Sequence, residues 1–64
     1  ELYEAVQELR EELRIPVVLY YVEDLSCREI AEMLDISEGA VQKRLARARE
    51  KLRNRLKDKE AAGR

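Results

Sequence analysis

Apolar side chains recur along this chain at helical intervals. Leu2, Val6 and Leu9 stand at i, i+4 and i+7, one stripe of a helix from about Leu2 to Leu9. A second helix is predicted from about Glu11 to Val22, with Leu13, Val17, Tyr20 and Tyr21 turned inward. Pro16 falls inside it, and either occupies the first turn, where its missing N–H is harmless, or kinks the helix. The run Val17-Val18-Leu19-Tyr20-Tyr21-Val22 is apolar all round, which implies burial on two sides or a face reserved for another domain. After Glu23-Asp24-Leu25, the tetrad Ser26-Cys27-Arg28-Glu29 has the S-x-x-E spacing of a capping box, in which each side chain satisfies the other residue's backbone N–H. Ile30, Ala31 and Leu34 form the inner face of the third helix, with Met33 as core filler. Asp35-Ile36-Ser37 is a turn with one apolar plug, and Ser37 is the N-cap of a fourth helix from Glu38 to about Leu56. There Val41, Leu45, Ala48, Leu52 and Leu56 keep one face apolar.

No stretch alternates apolar and polar over a strand's length, Thr is absent, and Leu, Ala, Glu, Arg and Lys dominate. The predicted fold is therefore all-α, with four helices and no sheet. Residues 1–56 form one domain, and 57–64, without apolar period, form a flexible basic tail. A capped helix, a three-residue turn and a second capped helix over Ser26–Leu52 have helix-turn-helix spacing. Ile30, Ala31, Leu34, Ile36, Val41 and Leu45 fill the angle between the two helices, and Ala31 is small where they approach most closely.

Composition narrows the functional classes. With 64 residues, 45% hydrophobic and 42% charged, the chain has too little core for a sizeable enzyme pocket and too much apolar content for a disordered tail. There is no His and one Cys, which removes His-based catalysis, zinc clusters and a disulfide framework. The expectation is a protein that is not an enzyme and holds no cofactor or metal. Cys27 sits in the first turn of a helix, where a redox sensor is conceivable, but no resolving Cys or His accompanies it, so an incidental surface Cys is the reading. The lone Cys fits a reducing cytoplasm. No run approaches the roughly 20 apolar residues of a membrane span, and no signal peptide is visible. A start at Glu1 rather than Met leads us to expect a piece of a longer protein. Glu11-Glu12 and Glu23-Asp24 are adjacent solvated acids without a pocket, and resemble a metal or acid/base pair only superficially.

Charge changes the picture more. Residues 1–36 carry three basic and ten acidic side chains, a net of −7, whereas residues 37–64 carry ten basic and four acidic, a net of +6. Between Gln42 and Lys57 stand eight Lys or Arg against Glu50 alone. A polyanion partner for the basic half follows; a merely solvated basic helix is the competing reading. At about 100° per residue, the fourth helix turns Lys43, Arg47, Glu50 and Asn54 away from the apolar stripe, with Gln42 and Ala46 on the shoulder. Gln42, Lys43, Ala46 and Arg47 are side chains of the types that read base edges: Gln for adenine, Lys or Arg for guanine, Ala for a thymine methyl. Ser26, Arg28, Ser37, Arg44 and Arg49 suit phosphates. Val18, Tyr20 and Tyr21, in the acidic half, are the candidate partner face.

The residues Arg14-Ile15-Pro16-Val17-Val18-Leu19-Tyr20-Tyr21-Val22-Glu23-Asp24-Leu25-Ser26, then Glu29-Ile30-Ala31-Glu32, Leu34, Ile36-Ser37-Glu38-Gly39, Val41, Arg44-Leu45, Arg47-Ala48-Arg49 and Lys51-Leu52, resemble region 4 of the bacterial RNA polymerase sigma-70 family, most like its extracytoplasmic-function group. The resemblance covers roughly residues 5 to 56. The pattern LSxxEIAExLxISEG is shared with LuxR-type regulators, whereas KRLARAREKL is sigma-like, because a LuxR-type domain usually has His before that Leu. The resemblance implies a helix-turn-helix fold of winged-helix-like or sigma region 4 type. It also implies recognition of double-stranded promoter DNA at the −35 element by the second helix of the motif, docking on the RNA polymerase core at the β-flap, and sequestration by an anti-sigma factor. Ala40 stands where the family usually has Thr, which weakens one backbone contact. Gln42 and Lys43 replace a basic residue followed by Ser, which leaves the promoter sequence open. Region 2, which melts the −10 element, is absent from this chain, so the chain alone is not expected to initiate transcription. We expect a cytoplasmic monomer without membrane contact. The alternatives are a LuxR-type DNA-binding domain and a protein-interaction module in which the apolar second helix docks on a partner.

Overall fold

A computed structural model describes the backbone of residues 2–62 and the side chains of residues 4–55 and 57. Its helices are α1 (Leu2–Gln7), α2 (Glu11–Val17), continued by a wider π-helical turn over Val18–Val22, α3 (Cys27–Leu34) and α4 (Glu38–Ala62). No strand occurs among the described residues. Helix α4 is the spine, and α1, α2 and α3 all pack on it. It passes the expected boundary at Leu56 and continues to Ala62, through Lys, Glu and Ala, which favour helix, with no breaker in the way. Gly63 and Arg64 lie outside the described residues.

The core joins Leu9, Leu13 and Val17 to Ile30 and Ala31 of α3 and to Val41, Leu45 and Ala48 of α4. Val6, Leu19, Leu25, Leu34, Ile36 and Leu52 cover its edges. Cys27 is half-buried against this core rather than a surface residue. Ala5 is buried too, although the apolar stripe of α1 did not include it. Met33 is a correction: at 62% exposed it is not core filler, because the α3 positions that face α4 are taken by Ile30, Ala31 and Leu34.

The second correction concerns Tyr20 and Tyr21, expected inward and found 36% and 55% exposed. Pro16 is the sixth residue of α2 and is buried. It lies beyond the first turn and supplies no N–H to the Glu12 carbonyl. The chain then widens, with the Glu23 N–H reaching the Val18 carbonyl at 3.1 Å, five residues back, and the Leu25 N–H reaching Leu19 at 3.0 Å. In a wider turn each residue advances less around the axis. The positions that ordinary helical spacing turns inward are thereby displaced, so Leu19 meets the core and the two tyrosines and Val22 face outward.

Both helices of the motif start on serine. The Ser26 hydroxyl accepts from the Glu29 N–H at 3.1 Å, and the Glu29 carboxylate accepts from the Ser26 N–H at 2.8 Å. The Ser37 hydroxyl accepts from the Ala40 N–H at 3.0 Å. Between them Asp35 adopts a left-handed conformation with φ 58°. The Ile36 N–H closes back on the Ala31 carbonyl at 3.0 Å, which ends α3 in a Schellman turn and plants Ile36 against the core.

The Ser26 backbone N–H, and after it the Ser26 hydroxyl, hold the Glu29 carboxyl below the usual glutamate range. A carboxyl lowered only in the folded chain adds stability that is full above the ordinary range and lost as pH falls through the lowered one. Acid titration followed by thermal unfolding should show this loss. Glu29→Gln, which retains the hydrogen bonds of the box, should flatten that part of the profile while α3 stays helical.

Candidate nucleic-acid interface

The two caps and the Asp35 turn fix α3 against the first turns of α4, and the burial of Val41, Leu45 and Ala48 fixes how α4 is rotated. That rotation brings Gln42, Lys43, Ala46 and Arg47 together on one exposed face. Arg44 is half-buried, at a helical position about 60° from Val41 and so beside the apolar stripe. Ser37 stands at the start of the same helix, with its hydroxyl oxygen occupied by the Ala40 N–H and its proton still free to donate. Ser26 and Arg28 begin α3, and Arg28 lies 3.9 Å from Glu32 in an exposed pair that contributes little. Glu50 is exposed on the side of α4 away from the core. A carboxylate repels phosphates, so the part of α4 suited to a polyanion is its first three turns.

Arg49 lies elsewhere. Its guanidinium donates to the Tyr21 hydroxyl at 3.1 Å, on the flank where α4 meets the end of α2. There a groove of about 550 Å³ is lined by Val6, Val17, Val18, Tyr21, Val22 and Leu52, with Gln7 and Arg49 among its walls. Of the three candidate partner residues, Val18 and Tyr21 belong to this groove. Tyr20 meets Tyr21 edge-on, with ring centroids 4.9 Å apart, and lines a separate shallow depression beside Asp24, Ser26 and Glu29. The apolar run in the sequence signalled the groove, but Val6 and Leu52, separated from that run by many residues, carried no such signal. Near the far end of the described side chains, Arg55 pairs with Glu8 and ties α4 to the α1–α2 junction.

Among the described residues, no group of three or more side chains is placed to hold a metal ion. No helix there is long and apolar enough to cross a membrane. What the surface offers is an exposed face of Gln42, Lys43, Ala46 and Arg47 on α4, basic groups around it, and an apolar groove on another flank.

Residues 1–52 match the family described as Sigma-70, region 4. The ECF RNA polymerase sigma factor SigW of Bacillus subtilis (strain 168) is 39% identical over 57 residues, 89% of this chain and 30% of that protein. The ECF RNA polymerase sigma-E factor of Haemophilus influenzae is 34% identical over 55 residues, 86% of this chain and 29% of that protein. The RNA polymerase sigma factor FliA of Pseudomonas aeruginosa is 39% identical over 57 residues, 89% of this chain and 23% of that protein. The chain thus spans less than a third of the length of each of these relatives.

Proposed function

This chain belongs to the sigma-70 region 4 family, and from that premise we propose that it is the domain of a sigma factor that reads the −35 promoter element. The observation that carries this reading is the exposed set Gln42, Lys43, Ala46 and Arg47 on the second helix of a doubly capped helix-turn-helix. The first three turns of α4 enter the major groove. Gln42, Lys43 and Arg47 hydrogen-bond base edges, and Ala46 packs on a thymine methyl. Arg44, Ser37, Ser26 and Arg28 hold phosphates on either side. Arg49 is turned toward the Tyr21 hydroxyl, so it contributes less than Arg44.

The groove beside Tyr21 supports a second role within the same protein. It is apolar, open, and on a flank of α4 away from Lys43 and Arg47, so a partner docks there while DNA is held. We assign it to the RNA polymerase core at the β-flap, with an anti-sigma factor as a competitor for the same surface. The domain acts as a cytoplasmic monomer and performs no catalysis.

Selection from a randomised duplex pool tests the DNA reading. The chain should enrich one short motif. Sequencing that shows the selected pool no different from the input would remove base recognition as its function.

A further inference from the structure

Gly39 is the second residue of α4, a place where glycine is unfavourable, because its backbone is freer than alanine's in the unfolded chain. Nothing inside the chain requires it. No glycine of the described residues has positive φ, so an L side chain fits the backbone. A Cβ added at Gly39 would meet only the Ser37 hydroxyl oxygen, at 4.0 Å, which is ordinary contact. Neither conformation nor packing explains the glycine.

Its position does. Gly39 is exposed and precedes Gln42, Lys43 and Ala46 by three, four and seven residues, which puts all four on one side of the helix. Measured around the axis from Val41, Gly39 lies at about 160°, between Gln42 at about 100° and Lys43 at about 200°. A side chain here would stand in the middle of the face that meets the groove. We propose that Gly39 is a steric positioning residue for DNA: the duplex packs against its bare Cα, and the missing side chain sets how deeply the first turn of α4 enters the major groove. This rests on the assignment of α4 as the DNA-reading helix.

A methyl group would hold the helix off by about one C–C bond, roughly 1.5 Å. Hydrogen bonds from Gln42 and Lys43 to base edges do not survive that displacement. Attraction of Arg44 and the other cations to phosphates falls off much more gently with distance. The variant should therefore lose specific binding far more than non-specific binding, and it should be a more stable protein at the same time. A glycine kept for folding would show the opposite pattern.

The test is thermal unfolding and DNA titration of the chain and of its Gly39→Ala variant, on the duplex enriched by selection and on a scrambled duplex. The expected result is a higher unfolding midpoint, about tenfold or greater loss of affinity on the enriched duplex, and a change within about threefold on the scrambled one. Gly39→Ser should lose at least as much specific affinity. Unchanged or tighter binding of Gly39→Ala to the enriched duplex would overturn the proposal while leaving DNA recognition intact. A lowered midpoint would overturn it as well, by showing that the fold itself needs the glycine. If the unsubstituted chain did not distinguish the two duplexes, the DNA reading would fail first and this inference with it.

Discussion

Leu45→Ala should unfold the domain. Leu45 is 2% exposed and sits in the centre of the core, on the same helix as the proposed base-reading residues. Truncating a buried leucine costs about 2–5 kcal/mol, for the lost burial and for the cavity left behind. A chain of this length has a total stability of roughly 3–10 kcal/mol, so one substitution removes a large share of it, and all of it at the lower end of that range. Helical signal in circular dichroism should fall, or the unfolding midpoint should drop steeply, and DNA binding should disappear with it. Met33→Ala is the companion measurement. On an exposed helix position it should shift stability by no more than about 0.5 kcal/mol. Equal effects of the two substitutions would mean that the packing of α3 on α4 differs from the one described.

The second large effect separates base reading from phosphate holding. Arg47 is exposed on the face away from the core, and Arg44 is half-buried beside it. Arg47→Ala should cost about 1–3 kcal/mol on the preferred duplex and relax the preference at one base pair. Arg44→Ala should weaken preferred and scrambled duplexes about equally, and should lower the slope of log K against log salt by about one unit. Arg49→Ala should lower that slope by less, because the Arg49 guanidinium is engaged with Tyr21. Helix content should stay unchanged in all three variants. Equal losses for Arg47→Ala on both duplexes would show that α4 docks in another orientation.

How far the sequence alone reached follows from how local each determinant is. The caps at Ser26 and Ser37 were legible because donor and acceptor are three residues apart, and the structure closes both. The stripe Val41, Leu45 and Ala48 was legible because α4 keeps regular spacing through the core. The orientation of Tyr20 and Tyr21 was not, because the widening after Pro16 abandons the period on which the reading rested. Met33 is apolar and next to Leu34, and which of the two α3 turns toward α4 depends on tertiary packing. The position of Arg49 was likewise hidden. Its hydroxyl partner lies 28 residues away, and a helical projection of α4 alone contains no trace of it. Gly39 entered the sequence reading only among the residues of the family resemblance, since the empty space around it is a property of the folded chain.

The central claim is that the basic face of α4 holds DNA. Arg28, Lys43, Arg44, Arg47 and Arg49 surround the proposed interface, and about four to five phosphate charges are expected to be neutralised by these cations. Each phosphate neutralised releases condensed counterions, so log K should fall with log salt at a slope of roughly −4 to −5. The decisive measurement is a titration of the chain against its enriched duplex at a series of salt concentrations. A slope in that range supports the account, and an affinity that stays flat from low to moderate salt would contradict it.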